Sequence, residues 1–297
     1  MVVYSIKDIE EITGVKAHTL RIWEKRYDIV KPERTKTNIR FYTEDHLKQI
    51  LNIALLNKNG YKISQIAEMT NEEIKSRTMR LSNTEEDLEA QLDVLTFAVI
   101  NMDDFAVNII LDKYISDFGF EKTMDLLINP FLEKLSTLWV TGTIKSVHES
   151  FISEILRQRT AIEIQKLKQV DSDMPKVMLY LGNGEKQELS MIFLLYILRS
   201  KGMNVTLAGF DLTIKDVLDA YNTLQPQYIY TIINQEIQDY NIDSYINYIS
   251  KSINDCQLIL SGFMMVSTSV NLPSNCQRIN DMDSVIDFFT TTAKLDI

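Results

Sequence analysis

Residues 13–27 read Thr13-Gly-Val-Lys-Ala-His-Thr-Leu-Arg-Ile-Trp-Glu-Lys-Arg-Tyr27. Gly14 supplies a turn residue that accepts positive φ, and Val15 is the apolar plug behind the turn. The spacing predicts a short helix after it, with Leu20 and Trp23 inward and Thr19, Arg21, Lys25 and Arg26 outward. Upstream, Ser5-Ile-Lys-Asp-Ile-Glu-Glu-Ile reads as a first helix, capped by Ser5, with Ile6, Ile9 and Ile12 along one face. Two short helices joined by a glycine turn, the second one cationic, have the geometry that lays a helix in a DNA major groove.

Downstream, Ile29 to Tyr42 holds two short strand-like arms around a polar turn at Lys36 to Asn38, which predicts a wing beside the second helix. Thr19 to Tyr27, then Pro32-x-Arg34-Thr35, then Arg40-Phe41-Tyr42, resemble the winged-helix DNA-binding domain of MerR-type regulators. Trp-Glu-Lys-Arg-Tyr is most similar to the CarA/CarH-like branch, whose members carry a cobalamin-binding light-sensor region. The expected DNA contacts are Lys16, His18, Thr19, Arg21, Lys25, Arg26 and Tyr27 from the helix and Arg34, Lys36, Arg40 and Tyr42 from the wing. The resemblance implies that Arg40 and Tyr42 clamp the DNA backbone. Trp23 is read as core.

The chain carries a net charge of −10, which at first opposes DNA binding, but its distribution does not. Residues 1–80 hold 15 Lys+Arg against 11 Asp+Glu, or +4, and the other 217 hold 16 against 30, or −14. The basic footprint is local, and the acidic remainder is repelled by phosphate. No apolar run approaches the roughly 20 residues of a membrane span, so no membrane partner is expected. Met-Val-Val-Tyr-Ser lacks a basic then apolar leader, so a cytoplasmic chain is expected. With two cysteines, Cys256 and Cys276, no disulfide framework is expected and a cysteine-based metal site is excluded by number; no metal is expected.

A multidomain chain follows from the periodicities. Residues 1–80 form the winged helix-turn-helix head: Thr43 caps a helix to about Asn59, Gly60 ends it, and Ser64 caps a short helix over Ile66 to Thr70. Residues 71–92 read as a linker or a solvated helix. Residues 85–168 show four amphipathic runs, which suggest a central four-helix bundle. Residues 175–297 alternate four strands with helices, with Thr213 capping the helix to Leu224. This indicates a Rossmann-like, doubly wound α/β domain on a parallel sheet.

A bundle followed by such a domain resembles the cobalamin-binding module of the same branch, whose α/β loop supplies a lower-ligand His in Asp/Glu-x-His-x-x-Gly and whose bundle supplies Trp, nine residues, then Glu-His. Here the loop has Glu185, Gln187 and Ser190, and the bundle has Trp139, Glu149 and Ser150. Ser261-Gly262 stands where the branch tends to have Gly-Gly. With Thr231 on the third strand, these nine residues form the candidate ligand pocket. A carboxamide is a poor donor to cobalt where an imidazole is a good one. His148 lies two positions from Ser150, about 200° around a helix, and does not replace it.

The expectation is therefore a sequence-specific transcription regulator. Its head reads a palindromic operator, and its C-terminal module oligomerises or senses without a cofactor. Partners expected are double-stranded operator DNA, further copies in a dimer or tetramer, and RNA polymerase or an antirepressor protein. The alternatives are a cobalamin-dependent light-sensing repressor with unusual ligation, or a corrinoid-binding enzyme subunit. Gly-x-Ser-x-Gly, His-Glu-x-x-His and P-loop patterns are all absent, so no enzyme is expected.

Overall fold

The computed structural model describes residues 3–292 apart from 36, 59, 82–87, 141–143, 169–173, 238–240 and 269. Helix α1 (Ile6–Thr13) starts in a capping box, in which Ser5 accepts from the Asp8 N–H and Asp8 from the Ser5 N–H. Gly14, at φ 70°, closes it in the left-handed region, and α2 (Ala17–Tyr27) follows. Ile9, Ile12, Leu20 and Trp23 are buried, as the helical spacing requires. The wing pairs β2 (Glu33–Arg34) with β3 (Arg40–Thr43), antiparallel. A further strand at the N-terminus, β1 (Val3–Tyr4), pairs with β3 and gives the order β1-β3-β2.

Helix α3 (Glu44–Lys58) begins where Thr43 Oγ1 accepts from the His46 N–H. The expected Ser64 cap is corrected: α4 is Ile63–Ile66, entered from Lys62. Thr70 instead opens α5 (Asn71–Leu81), exchanging hydrogen bonds with Glu73. An acid three residues on completes the box at Thr70 and is missing at Ser64. Ile74 and Thr78 are buried, so the start of the polar stretch is a packed helix.

The four periodic runs become α6 (Leu88–Ile100), α7 (Asp104–Phe118), a composite helix and α10 (Ser146–Lys166). The composite is α8 (Phe120–Thr123), a π-helical stretch Met124–Ile128 and α9 (Asn129–Val140). Pro130 has no N–H to give the Leu126 carbonyl, which accounts for the widened turn before it. Helix α6 packs on α3, α7 and α9. Asp93 of α6, 12% exposed, takes Lys58 of α3 at 2.7 Å and Lys134 of α9 at 2.5 Å.

The chain divides into two compact units, Met1–Ile155 and Leu156–Ile297. The division falls inside α10 and not at the polar connection after Lys168, because α10 is continuous: Ile152 and Ile155 are buried before it, and Ile164 packs against the sheet core after it.

The second unit is a five-stranded parallel sheet in the order β5-β4-β6-β7-β8. Its strands are β4 (Lys176–Gly182), β5 (Asn204–Leu212), β6 (Tyr228–Ile232), β7 (Gln257–Ser261) and β8 (Cys276–Arg278). Alternate residues feed two cores. Val177, Leu179 and Tyr230 pack with α11 (Glu188–Ser200) and α15 (Met282–Asp287), which runs into the π-helical Phe288–Thr292. Met178, Tyr180 and Ile229 pack with α12 (Ile214–Leu224), α13 (Ile242–Ser252) and α14 (Phe263–Ser267). Helices on both faces make the sheet doubly wound. The order is the flavodoxin-like 2-1-3-4-5, with a crevice expected at the carboxyl ends of the first and third strands. Thr213 caps α12 through a box with Asp216.

Candidate nucleic-acid interface

Helix α2 presents its cations on the face opposite Leu20 and Trp23. Arg21, Lys25 and Arg26 are exposed, and the Arg26 guanidinium lies 5.5 Å from the Tyr27 ring centroid, within cation–π range. Lys16 precedes the helix and offers no capping side chain. The cap comes from α1: Glu10 Oε2 accepts from the Ala17 N–H at 3.0 Å, and Oε1 pairs with Lys16 Nζ at 2.9 Å. The Lys16 and Ala17 hydrogen bonds hold the Glu10 carboxyl below its ordinary value. His18 Nε2 lies 3.3 Å from Thr19 Oγ1.

Glu24, the one acid within α2, turns inward and is 8% exposed. It accepts from Arg40 Nε at 3.1 Å and from the Tyr42 hydroxyl. One carboxylate therefore ties the wing to the helix, a role that the sequence reading did not assign. Tyr42 requires a correction. It is fully buried, so it braces the wing from within and is no DNA clamp. Burial, with Glu24 beside it, raises its phenol well above the ordinary value. Arg40 gives only Nε to Glu24. Arg34 Nη1 reaches Asn38 Oδ1 at 2.8 Å across the wing turn, where Asn38 adopts φ 66°. Lys36 lies outside the described residues.

The nine candidate pocket residues fall in both units. In the first, Trp139 is 56% exposed, and Glu149 and Ser150 are exposed. His148 is buried, and its Nδ1 accepts from the Lys145 N–H. In the second, a cavity of about 310 Å³ opens at the carboxyl ends of β4, β5 and β6, with Glu185, Thr231, Thr213 and Tyr245 in its lining. Glu185 and Thr231 thus share one cavity. Glu185 Oε1 braces the loop after β6, accepting from the Asn234 and Gln235 N–H groups, while Oε2 is buried and has no partner among the described residues. Gln187 precedes α11, and its Oε1 accepts from the Lys186 N–H at 3.2 Å. Ser190, in the first turn of α11, is half-buried.

Ser261 and Gly262 line the crossing of two strand ends and not that cavity. The Ser261 hydroxyl donates to the Ile279 carbonyl at 2.6 Å. Gly262 has φ 112°, and a Cβ there would stand 2.3 Å from the Ile233 carbonyl oxygen. The chain's own backbone demands the glycine. Among the described residues, no cluster of three His, Cys, Asp or Glu side chains could hold a metal ion, and no helix is long and apolar enough to cross a membrane.

The family model described as "MerR HTH family regulatory protein" matches residues 4–73. Over 245 residues, the chain is 22% identical to the HTH-type transcriptional repressor CarH of Myxococcus xanthus, covering 80% of this chain and 81% of that one. It is 24% identical over 209 residues to the repressor CarA of the same organism, covering 69% and 68%. The monomethylamine corrinoid protein of Methanosarcina barkeri is similar in structure at 7% identity, covering 66% of this chain and 94% of that one. The TM-score of that likeness is 0.47. Residues 4–73 are therefore a MerR-type helix-turn-helix domain, carried on a chain similar over most of its length to two HTH-type transcriptional repressors.

Proposed function

We propose that the chain is a sequence-specific transcription regulator that reads a palindromic operator as a homo-oligomer and works without cobalamin. The observation that carries the DNA reading is the outward face of α2. Arg21 and Lys25 are exposed and have no side-chain partner among the described residues, on a helix whose opposite face is sealed by Leu20 and Trp23. Arg40 flanks that face, and its two Nη groups have no partner among the described residues and can reach phosphate, while Arg34 and Tyr27 extend the contact. Palindromic reading by two copies follows from the half-site geometry of such heads.

Cobalamin held through a histidine does not fit the residues present. The chain has three histidines, His18, His46 and His148, so the second unit has none. Gln187 stands where the CarA/CarH-like loop places the donor, and its carboxamide oxygen already accepts a backbone N–H. The cavity holding Glu185 and Thr231 remains as the sensing site of this reading.

The test is selection of binding sites from random double-stranded DNA by the full chain, followed by gel-shift titration across salt. Arg21→Ala is expected to weaken operator binding and to lower the log–log salt slope by about one, the loss of a single phosphate contact. Failure to enrich any sequence, or unchanged affinity and slope in Arg21→Ala, contradicts the proposal.

A further inference from the structure

The first unit holds a second, larger cavity that the DNA-reading surface does not use. It encloses about 930 Å³ between α3, α5 and the turn from α6 into α7. That is the size of a small-molecule site, about 300–1,000 Å³. Its inner wall is apolar, with Ile74, Val94, Phe97 and Ile110. At the rim, Met102, Phe105 and Ile109 are 46%, 74% and 47% exposed. Phe105 and Ile109 stand one turn apart on the same face of α7. Single exposed apolar residues are ordinary, but three gathered at one opening mark a place where something binds.

The turn that carries this rim is fixed. Met102 sits at φ 52°, the Asp103 N–H donates to the Ala98 carbonyl at 2.9 Å, and Asp103 Oδ1 caps α7 at the Ala106 N–H. The charge in the lining is lopsided. Three carboxylates, Asp45, Asp103 and Asp104, share the lining with one lysine, Lys48, and one imidazole, His46. The Asp45 and Asp104 carboxylates have no partner among the described residues. Two phenylalanine rings and unpaired carboxylates together favour a positive charge on an apolar body, through cation–π attraction and Coulomb attraction.

We infer that this cavity binds a small hydrophobic organic cation, an aromatic or alicyclic body carrying an amine or onium charge. Its walls come from α3 of the head and from α6 and α7, so a molecule seated there touches both and favours their packed arrangement. The inference does not rest on the proposed DNA reading.

Calorimetric titration of the full chain compares methyltriphenylphosphonium with triphenylphosphine oxide, a neutral molecule that keeps the three phenyl rings and replaces the methyl with oxygen. The expected result is saturable binding of one cation per chain, with the neutral compound about tenfold weaker. Asp45→Asn with Asp104→Asn should remove that preference and leave binding of the neutral compound unchanged. Ile109→Trp, at an exposed position that tolerates bulk, should obstruct both ligands, and Arg21→Ala should leave both untouched. Absence of saturable cation binding, or a cation affinity that survives both the double Asn variant and Ile109→Trp, overturns the inference.

Discussion

Glu24 is where a single side chain decides most. It is the acid of the α2 face and yet 8% exposed, because it accepts from Arg40 and Tyr42 of the wing. Removing an acid from a DNA-binding surface ordinarily strengthens binding by reducing repulsion. Here the opposite is expected. Glu24→Ala leaves a buried tyrosine hydroxyl and an arginine without their acceptor, which costs about 2 kcal/mol, and it frees the wing from the helix. Chemical denaturation should show the loss, and gel shifts should show weaker operator binding although the head loses a negative charge. Tighter binding would mean that the wing does not need this anchor. Gly262 makes a similar case in the second unit. With a Cβ placed 2.3 Å from the Ile233 carbonyl oxygen, Gly262→Ala must displace backbone, and we expect a loss of about 3 kcal/mol by denaturation. A neutral effect would show that this crossing yields easily.

At the scale of the element, α2 starts on a cap borrowed from α1. Glu10 holds the Ala17 N–H, so amide exchange at Ala17 should quicken in Glu10→Ala. The pH dependence follows from the lowered carboxyl. A carboxylate with a depressed folded value contributes fully above its ordinary value of about 4.5 and loses the contribution as pH falls through the folded value. Ala17 protection should therefore decline below that range in the wild type and not in Glu10→Ala. Equal protection in both chains would remove Glu10 from this role. Local signals were legible in the sequence: the Ser5 and Thr213 caps, the Gly14 turn, the inward Leu20 and Trp23, and the alternation that made strands of β4 to β7. What stayed hidden was non-local. Nothing in the sequence near Lys16 announces a cap seven residues before Ala17. Tyr42 next to Arg40 looks like a polar wing residue until Glu24 is seen beneath it. Strands β1 and β8 are two and three residues long, too short to show a period, and only pairing with a neighbour makes them strands.

At the scale of the whole chain, a basic head precedes an acidic remainder, and the parallel sheet of the second unit keeps a cavity at its carboxyl edge. The layout of the candidate site was legible as loop positions, and the structure places Glu185 and Thr231 together in that cavity. Ser261 and Gly262 went elsewhere, because a glycine demanded by backbone crossing is indistinguishable in sequence from one kept for a ligand. Regulation without a cobalt donor in the α/β unit, as proposed above, can be tested directly. The most direct measurement mixes the purified full chain with excess adenosylcobalamin in the dark, passes it through gel filtration, and reads corrinoid absorption and elution position before and after light. The protein fractions are expected to emerge colourless, with an elution position indifferent to light. About one corrinoid retained per chain would contradict the proposal.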